Sequence, residues 1–169
     1  MKQVSRIVPW LIGLLFLSGT YLIYTKYLVW WLLDDYAVVR VSLKEHPWSK
    51  ARREFLVEVV KGQEAVKLGL SNRADLVSYQ DGAQIDGVLF LFPDQQVRHF
   101  WMKDMRFAID MCWLAFPQLI SCVRNAPPPA AGETPAQFNS SILASAVLET
   151  KPGFFSEADF GSKLFFRWW

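Results

Sequence analysis

From Ile7 to Leu33 the chain carries a single charge, Lys26, and that stretch limits the rest of the molecule more than any other feature. Its cleaner part, Ile7 to Tyr24, approaches the roughly 20 apolar residues that a helix needs to cross a bilayer. Lys2 and Arg6 precede it. Trp10, Tyr21, Tyr24, Tyr27, Trp30 and Trp31 suit the interfacial belts of a membrane, where Lys26 can snorkel to the headgroups. The nearest approach to a cleavage site, Ser18-Gly19-Thr20, runs into the bulky Tyr21 to Tyr24. The expectation is therefore an uncleaved anchor over residues 1–33 rather than a removable signal. The mixed polar stretch 34–53 then reads as a tether, and residues 54–169 as the folded domain.

Without the anchor roughly 135 residues remain, enough for one domain. The apolar fraction of 52%, with 15% aromatics, is ample for its core. A net charge of +2 is too small to imply a polyanionic partner, and no basic run interleaved with aromatics tracks a phosphate backbone, so no nucleic acid is expected. Two cysteines, Cys112 and Cys122, and two distant histidines, His46 and His99, make neither a disulfide framework nor a metal site. No cofactor is expected.

Short strand signals dominate the remainder. Phe55 to Val60 alternates and ends at Lys61-Gly62, and Glu64 to Leu70 has helical spacing. Leu76 to Gly87 reads as a loop. Val88 to Phe92 is wholly apolar, as suits a central strand buried on both faces, with Pro93-Asp94 ending it. Leu119 to Val123, Ala144 to Leu148 and Lys163 to Trp168 are further strands, with a stiff proline-rich loop from Pro127 to Pro135 between the first two. The fold class expected is α+β: a mostly antiparallel, curled sheet with one or two short helices, preceded by an N-terminal transmembrane helix.

The stretch from His99 to Asp110 is the chemical centre of this pattern. At period two His99, Trp101 and Lys103 share one face, and Phe100, Met102 and Asp104 the other. Beyond it Phe107, Ile109, Met111 and Trp113 form a core face. Asp110, set among apolar neighbours, needs either backbone amides or a cation such as Arg73, Lys103 or Arg106 to offset its desolvation. A four-residue loop at Ala115 to Gln118 pairs Leu114 with Leu119 and Cys112 with Ser121. Cys122 then faces away from Cys112, so the two are expected not to be joined.

The succession Leu68-Gly-Leu-Ser-Asn-Arg73, Gly87-Val-Leu-Phe-Leu-Phe92, Phe100-Trp-Met-Lys-Asp104 with Ile109-Asp110, then Val147-Leu-Glu149 and Gly153, resembles the DUF192 (UPF0127) family across roughly residues 55–166. The resemblance implies a compact β-rich fold, frequent export behind a signal or anchor in bacteria and archaea, and no particular reaction. Val88 and Ser71 stand where the family pattern has Met. Ala115-Phe-Pro-Gln118 replaces a turn rich in Asp and Gly, and Ser162 an Asp.

Lys2, Arg6 and the free amine favour a cytoplasmic N-terminus, whereas Arg40, Lys44, Lys50, Arg52 and Arg53 beyond the span oppose it. The resemblance favours an extracytoplasmic domain, single-pass in the bacterial inner membrane. The leading functional expectation is a binding or accessory module of the cell envelope. Its partners would be the membrane, through the N-terminal helix, and a small polar ligand or an envelope protein. The candidate binding residues are Trp101, Lys103, Asp104, Asp110, Arg73 and Glu149. Trp101 beside Lys103 would make a stacking wall with a charged clamp. Two alternatives stand beside this reading: a hydrolase dividing acid and base work between Asp104 and Asp110, and a structural partner of another membrane protein.

Overall fold

A computed structural model describes residues 32–76, 78–80 and 82–167, with only the backbone described over 78–80. The expected anchor falls on residues outside that description. Among the described residues no helix is long and apolar enough to cross a membrane.

Seven strands close into a barrel. In spatial order they are β1 (Val38–Lys44), β11 (Lys163–Arg167), β8 (Gln118–Ala126), β7 (Ile109–Ala115), β10 (Ala144–Thr150), β5 (Gly87–Gln96) and β2 (Arg53–Val60). Every neighbouring pair is antiparallel except β2 with β5. The expected sheet is thus present and fully closed. The segment 34–53, read as a tether, supplies β1 and with it the closing pairings to β2 and β11.

Side chains alternate between the two sides of the wall. Val57, Leu89, Leu148 and Cys112 follow one parity, along with Val41, Leu43, Leu91 and Leu114, and fill the barrel. Glu58, Val60, Val88, Phe90, Glu149, Val147, Met111 and Trp113 follow the other. The outer side is not left to solvent. A parallel pair needs a crossover, and the connection from β2 to β5 carries helix α1 (Gln63–Leu68) and a small hairpin of β3 (Ser78–Gln80) and β4 (Ala83–Ile85). Leu76 to Gly87 is therefore not a plain loop. A second ribbon, β6 (His99–Trp101) with β9 (Gln137–Asn139), is paired His99 to Asn139. The proline-rich loop leads into it.

An outer apolar layer follows, in which Ala65, Leu70, Leu76, Met102 and Met105 pack on Val88, Phe90, Met111, Trp113 and Val147. Phe100 makes edge-on ring contacts with Phe90 at 5.2 Å and Trp113 at 5.7 Å, seating β6 against the wall. At Gly87 an added Cβ would lie 2.5 Å from the Glu149 carbonyl oxygen, so β5 and β10 can approach there only because residue 87 has no side chain.

Cys112 and Cys122 are joined by a disulfide, contrary to the expectation from sequence. The predicted pair Leu114 with Leu119 is present, and Ala115 pairs with Gln118 where a loop was expected, but a bulge between Trp113 and Leu114 leaves Ile120 unpaired. That extra residue sets Trp113 against Ser121 and Cys112 against Cys122.

Candidate functional site

Five of the six residues singled out in the sequence belong to the outer side of the barrel wall or to the segments laid over it. Glu149 projects from β10 on the outer parity, in register through Val88 with Glu58 of β2. Two strand spacings set the backbones of these glutamates about 10 Å apart. Arg73, just past α1, reaches down to the wall. Its Nη1 donates to Glu58 Oε2 at 3.1 Å and its Nη2 to Oε1 at 2.5 Å. The fork of two bonds suits a guanidinium facing a carboxylate, and Glu58 is only 8% exposed.

Glu149 is 5% exposed, and no described residue donates a hydrogen bond to its carboxyl. Burial pushes its pKa up to about 8, and the nearby Arg73 charge opposes the shift only in part. At neutral pH the site therefore holds an ion pair beside a carboxylic acid in its neutral form. Such an acid donates a hydrogen bond, whereas the paired Glu58 only accepts.

The turn carrying Lys103 and Asp104 forms the rim of this seam. Ser71 Oγ donates to the Lys103 carbonyl at 2.9 Å, and the Asn72 amide donates to the Asp104 carbonyl at 2.8 Å. Asp104 has φ 58°, a left-handed geometry that Asp tolerates better than most residues. Trp101, on the face of β6 opposite Phe100, is 49% exposed and so is not a core residue. The Lys103 Nζ lies 5.2 Å from its ring centroid, within cation–π reach. His99 Nδ1 and Asn139 Oδ1, 2.7 Å apart, flank the ring along the ribbon.

Asp110 stands apart. It follows the inner parity, paired with Thr150. Its Oδ1 accepts from the Asn125 amide at 2.7 Å and its Oδ2 from the Gly153 amide at 2.8 Å. Backbone amides, not Arg73 or Lys103, thus meet its need for a partner. Asn125, at φ 50°, sits in a second bulge, which takes its amide out of the ladder, and Gly153 at φ 75° turns its own amide inward. The structure does not bring Asp104 and Asp110 together: one lies in the overlying turn and the other on the inner side of the wall. No group of His, Cys, Asp or Glu side chains that could hold a metal ion occurs among the described residues.

Glu58 is the member of the cluster that sequence reasoning missed. Its alternation with Phe55, Val57 and Val59 reads as the wet side of a half-buried strand. The only available signal was the neighbouring Val60 on the same side.

The family model DUF192, described as an uncharacterized ACR, matches residues 31–164. Two crystal structures share the fold. One, named a "putative transcription regulator" from Sinorhizobium meliloti 1021, is 23% identical with a TM-score of 0.61, covering 79% of this chain and 97% of that one. The other, a protein of unknown function from Novosphingobium aromaticivorans DSM 12444, is 22% identical with a TM-score of 0.57, covering 78% and 85%. No curated protein matches the chain.

Proposed function

The chain belongs to the DUF192 family, and from that premise we propose that it is a membrane-anchored binding or accessory module of the cell envelope, with its barrel outside the cytoplasm. The observation that carries the binding role is the exposed Trp101 ring with the Lys103 ammonium against it, on the rim of the Arg73, Glu58 and Glu149 cluster. An aromatic surface with a cation beside it is the pairing that holds a small polar ring compound. The cross-strand disulfide supports the compartment, because such bonds persist where the surroundings are oxidising. The apolar run Ile7 to Leu33 supports the anchor.

The test is a thermal-shift panel of sugars, nucleosides and sugar acids on the parent chain and on Trp101→Ala and Lys103→Ala. A compound that raises the melting temperature of the parent, and of neither variant, is the expected result. A panel without such a compound overturns the small-ligand role. A reporter active only in the cytoplasm, fused after Trp169, reverses the topology if it is active.

A further inference from the structure

A second surface, independent of the Trp101 rim, lies where the β1–β2 connection meets the start of β11. An open cleft of about 400 Å³ there is lined by Glu45, His46, Arg52, Gln118, Lys163 and the Phe160 to Ser162 segment. Lys163 is directly opposite Lys44 in the β1–β11 ladder. Like charges facing across a ladder destabilise the pair, and among the described residues neither lysine is in an ion pair. The one carboxylate lining the cleft, Glu45, is taken by Arg52, whose hydrogen bond holds its pKa below the usual carboxylate range. Arg52 also donates to the Ala158 carbonyl at 2.8 Å. Among the described residues the Lys44 ammonium donates only to the Pro47 carbonyl, at 3.5 Å. The two lysines are therefore an uncompensated positive charge beside a concave surface.

The same connection holds a flat ring out to solvent. Trp48 is 84% exposed, and His46 stacks on it with centroids 5.5 Å apart and planes 17° from parallel. A hydrogen-bonded turn, Ser49 Oγ to the His46 carbonyl at 2.8 Å and the His46 amide to Ser49 Oγ at 3.1 Å, fixes that arrangement. Nothing in the core requires a tryptophan there. Its sequence neighbours Pro47, Ser49 and Lys50 offer no apolar patch for insertion into a bilayer, so the ring is a stacking surface rather than a membrane wedge.

We propose that this cleft, lined by His46 and Lys163, with Trp48 stacked on the first and Lys44 paired across the ladder from the second, is a binding site for an acidic saccharide, the Trp48–His46 stack meeting a sugar ring and the two lysines its carboxylate or other acidic group. The full chain in phosphatidylcholine nanodiscs is titrated with a uronic acid oligosaccharide and with a neutral glucose oligosaccharide of equal length. Tryptophan fluorescence is read for parent, Trp48→Ala and the double variant Lys44→Gln, Lys163→Gln. The acidic oligomer is expected to bind the parent about 10-fold or more tightly than the neutral one. The lysine variant should lose that preference and the salt dependence that accompanies it, and Trp48→Ala should weaken binding and remove most of the fluorescence change. Trp48 is exposed and both lysines are partly exposed, and an unchanged melting temperature separates lost binding from lost folding. Equal affinity for the two oligomers, no binding of either, or unchanged binding by the lysine variant overturns the proposal. So does capture of the nanodiscs by phosphatidylglycerol vesicles that depends on Trp48, which would make the cleft a lipid site.

Discussion

Asp110 and Gly153 are joined by a 2.8 Å hydrogen bond from the glycine amide to the carboxylate, across 43 positions of sequence. With the Asn125 amide on the other oxygen, one side chain fastens the start of β7 to the end of β8 and to the turn after β10. Asp110→Ala would leave two backbone amides without a partner in a place where Asp110 itself is 1% exposed. The expected loss is about 2–5 kcal/mol, read as a large fall in melting temperature of the 34–169 unit. Asp104→Ala, at an exposed turn, should lose about 1 kcal/mol through the left-handed backbone alone. A parent-like melting temperature for Asp110→Ala would contradict this role.

How legible this architecture was depends on what each residue had to reveal. The run Val88 to Phe92 announced a strand buried on both faces, and the inner barrel packing and outer layer bear that out. The expected core face of Ile109, Met111 and Trp113 is also observed. β1 was hidden because Arg40, Ser42 and Lys44 make its other face polar, so that Val41 and Leu43 read as part of a charged connection, and because its burial depends on pairing with β2 and with β11, the latter more than 100 residues away. The disulfide turned on one unpaired residue, Ile120, which no periodicity displays. Glu58 failed for a related reason. A carboxylate in an alternating strand looks wet until a crossover is known to cover it.

Glu149 should make the domain less stable as pH rises. Its carboxyl titrates near 8 in the folded chain and near the ordinary 4.5 when unfolded. Between those values the folded state binds the extra proton, so unfolding becomes easier as pH increases. The contribution is at its most favourable below the unfolded pKa and is lost as pH passes the folded one. Glu149→Gln keeps the shape of the neutral acid without the titration. Melting curves from pH 5 to 9 should show a decline for the parent that is flatter in the variant, with the variant the more stable at pH 9. Parallel curves would mean that Glu149 is not buried as an acid.

The Arg73–Glu58 pair is expected to be coupled. Arg73→Gln strands a nearly buried carboxylate and removes the positive charge that partly restrains Glu149. Because Arg73 itself keeps a quarter of its side chain in solvent, the loss should be about 1–3 kcal/mol, below that of a wholly buried pair. Adding Glu58→Gln should recover part of it, and a double-mutant cycle gives the interaction directly. Strictly additive effects would remove Arg73 from the cluster.

The disulfide between Cys112 and Cys122 closes a loop with a sequence separation of 10. The chain-entropy relation for a loop of this size gives about 2–3 kcal/mol of stabilisation. For a domain of this length that corresponds to roughly 5–10 °C in melting temperature. Reductant should lower the melting temperature of the parent by that amount and leave Cys112→Ala, Cys122→Ala unaffected, which separates the crosslink from the packing of the fully buried Cys112. The location of the bond within a continuous hairpin also limits what its loss can do. β7 and β8 remain paired through Ile109 with Ala126 and through Leu114 with Leu119, so the reduced chain should keep its far-ultraviolet spectrum and simply melt earlier. Thiol labelling of the denatured, unreduced protein supplies the compartment. Chain recovered from the cell envelope should show both cysteines blocked, and chain expressed without residues 1–33 in a reducing cytoplasm should show both free. Two reactive thiols in envelope-derived protein would count against both the bond and the extracytoplasmic placement it supports.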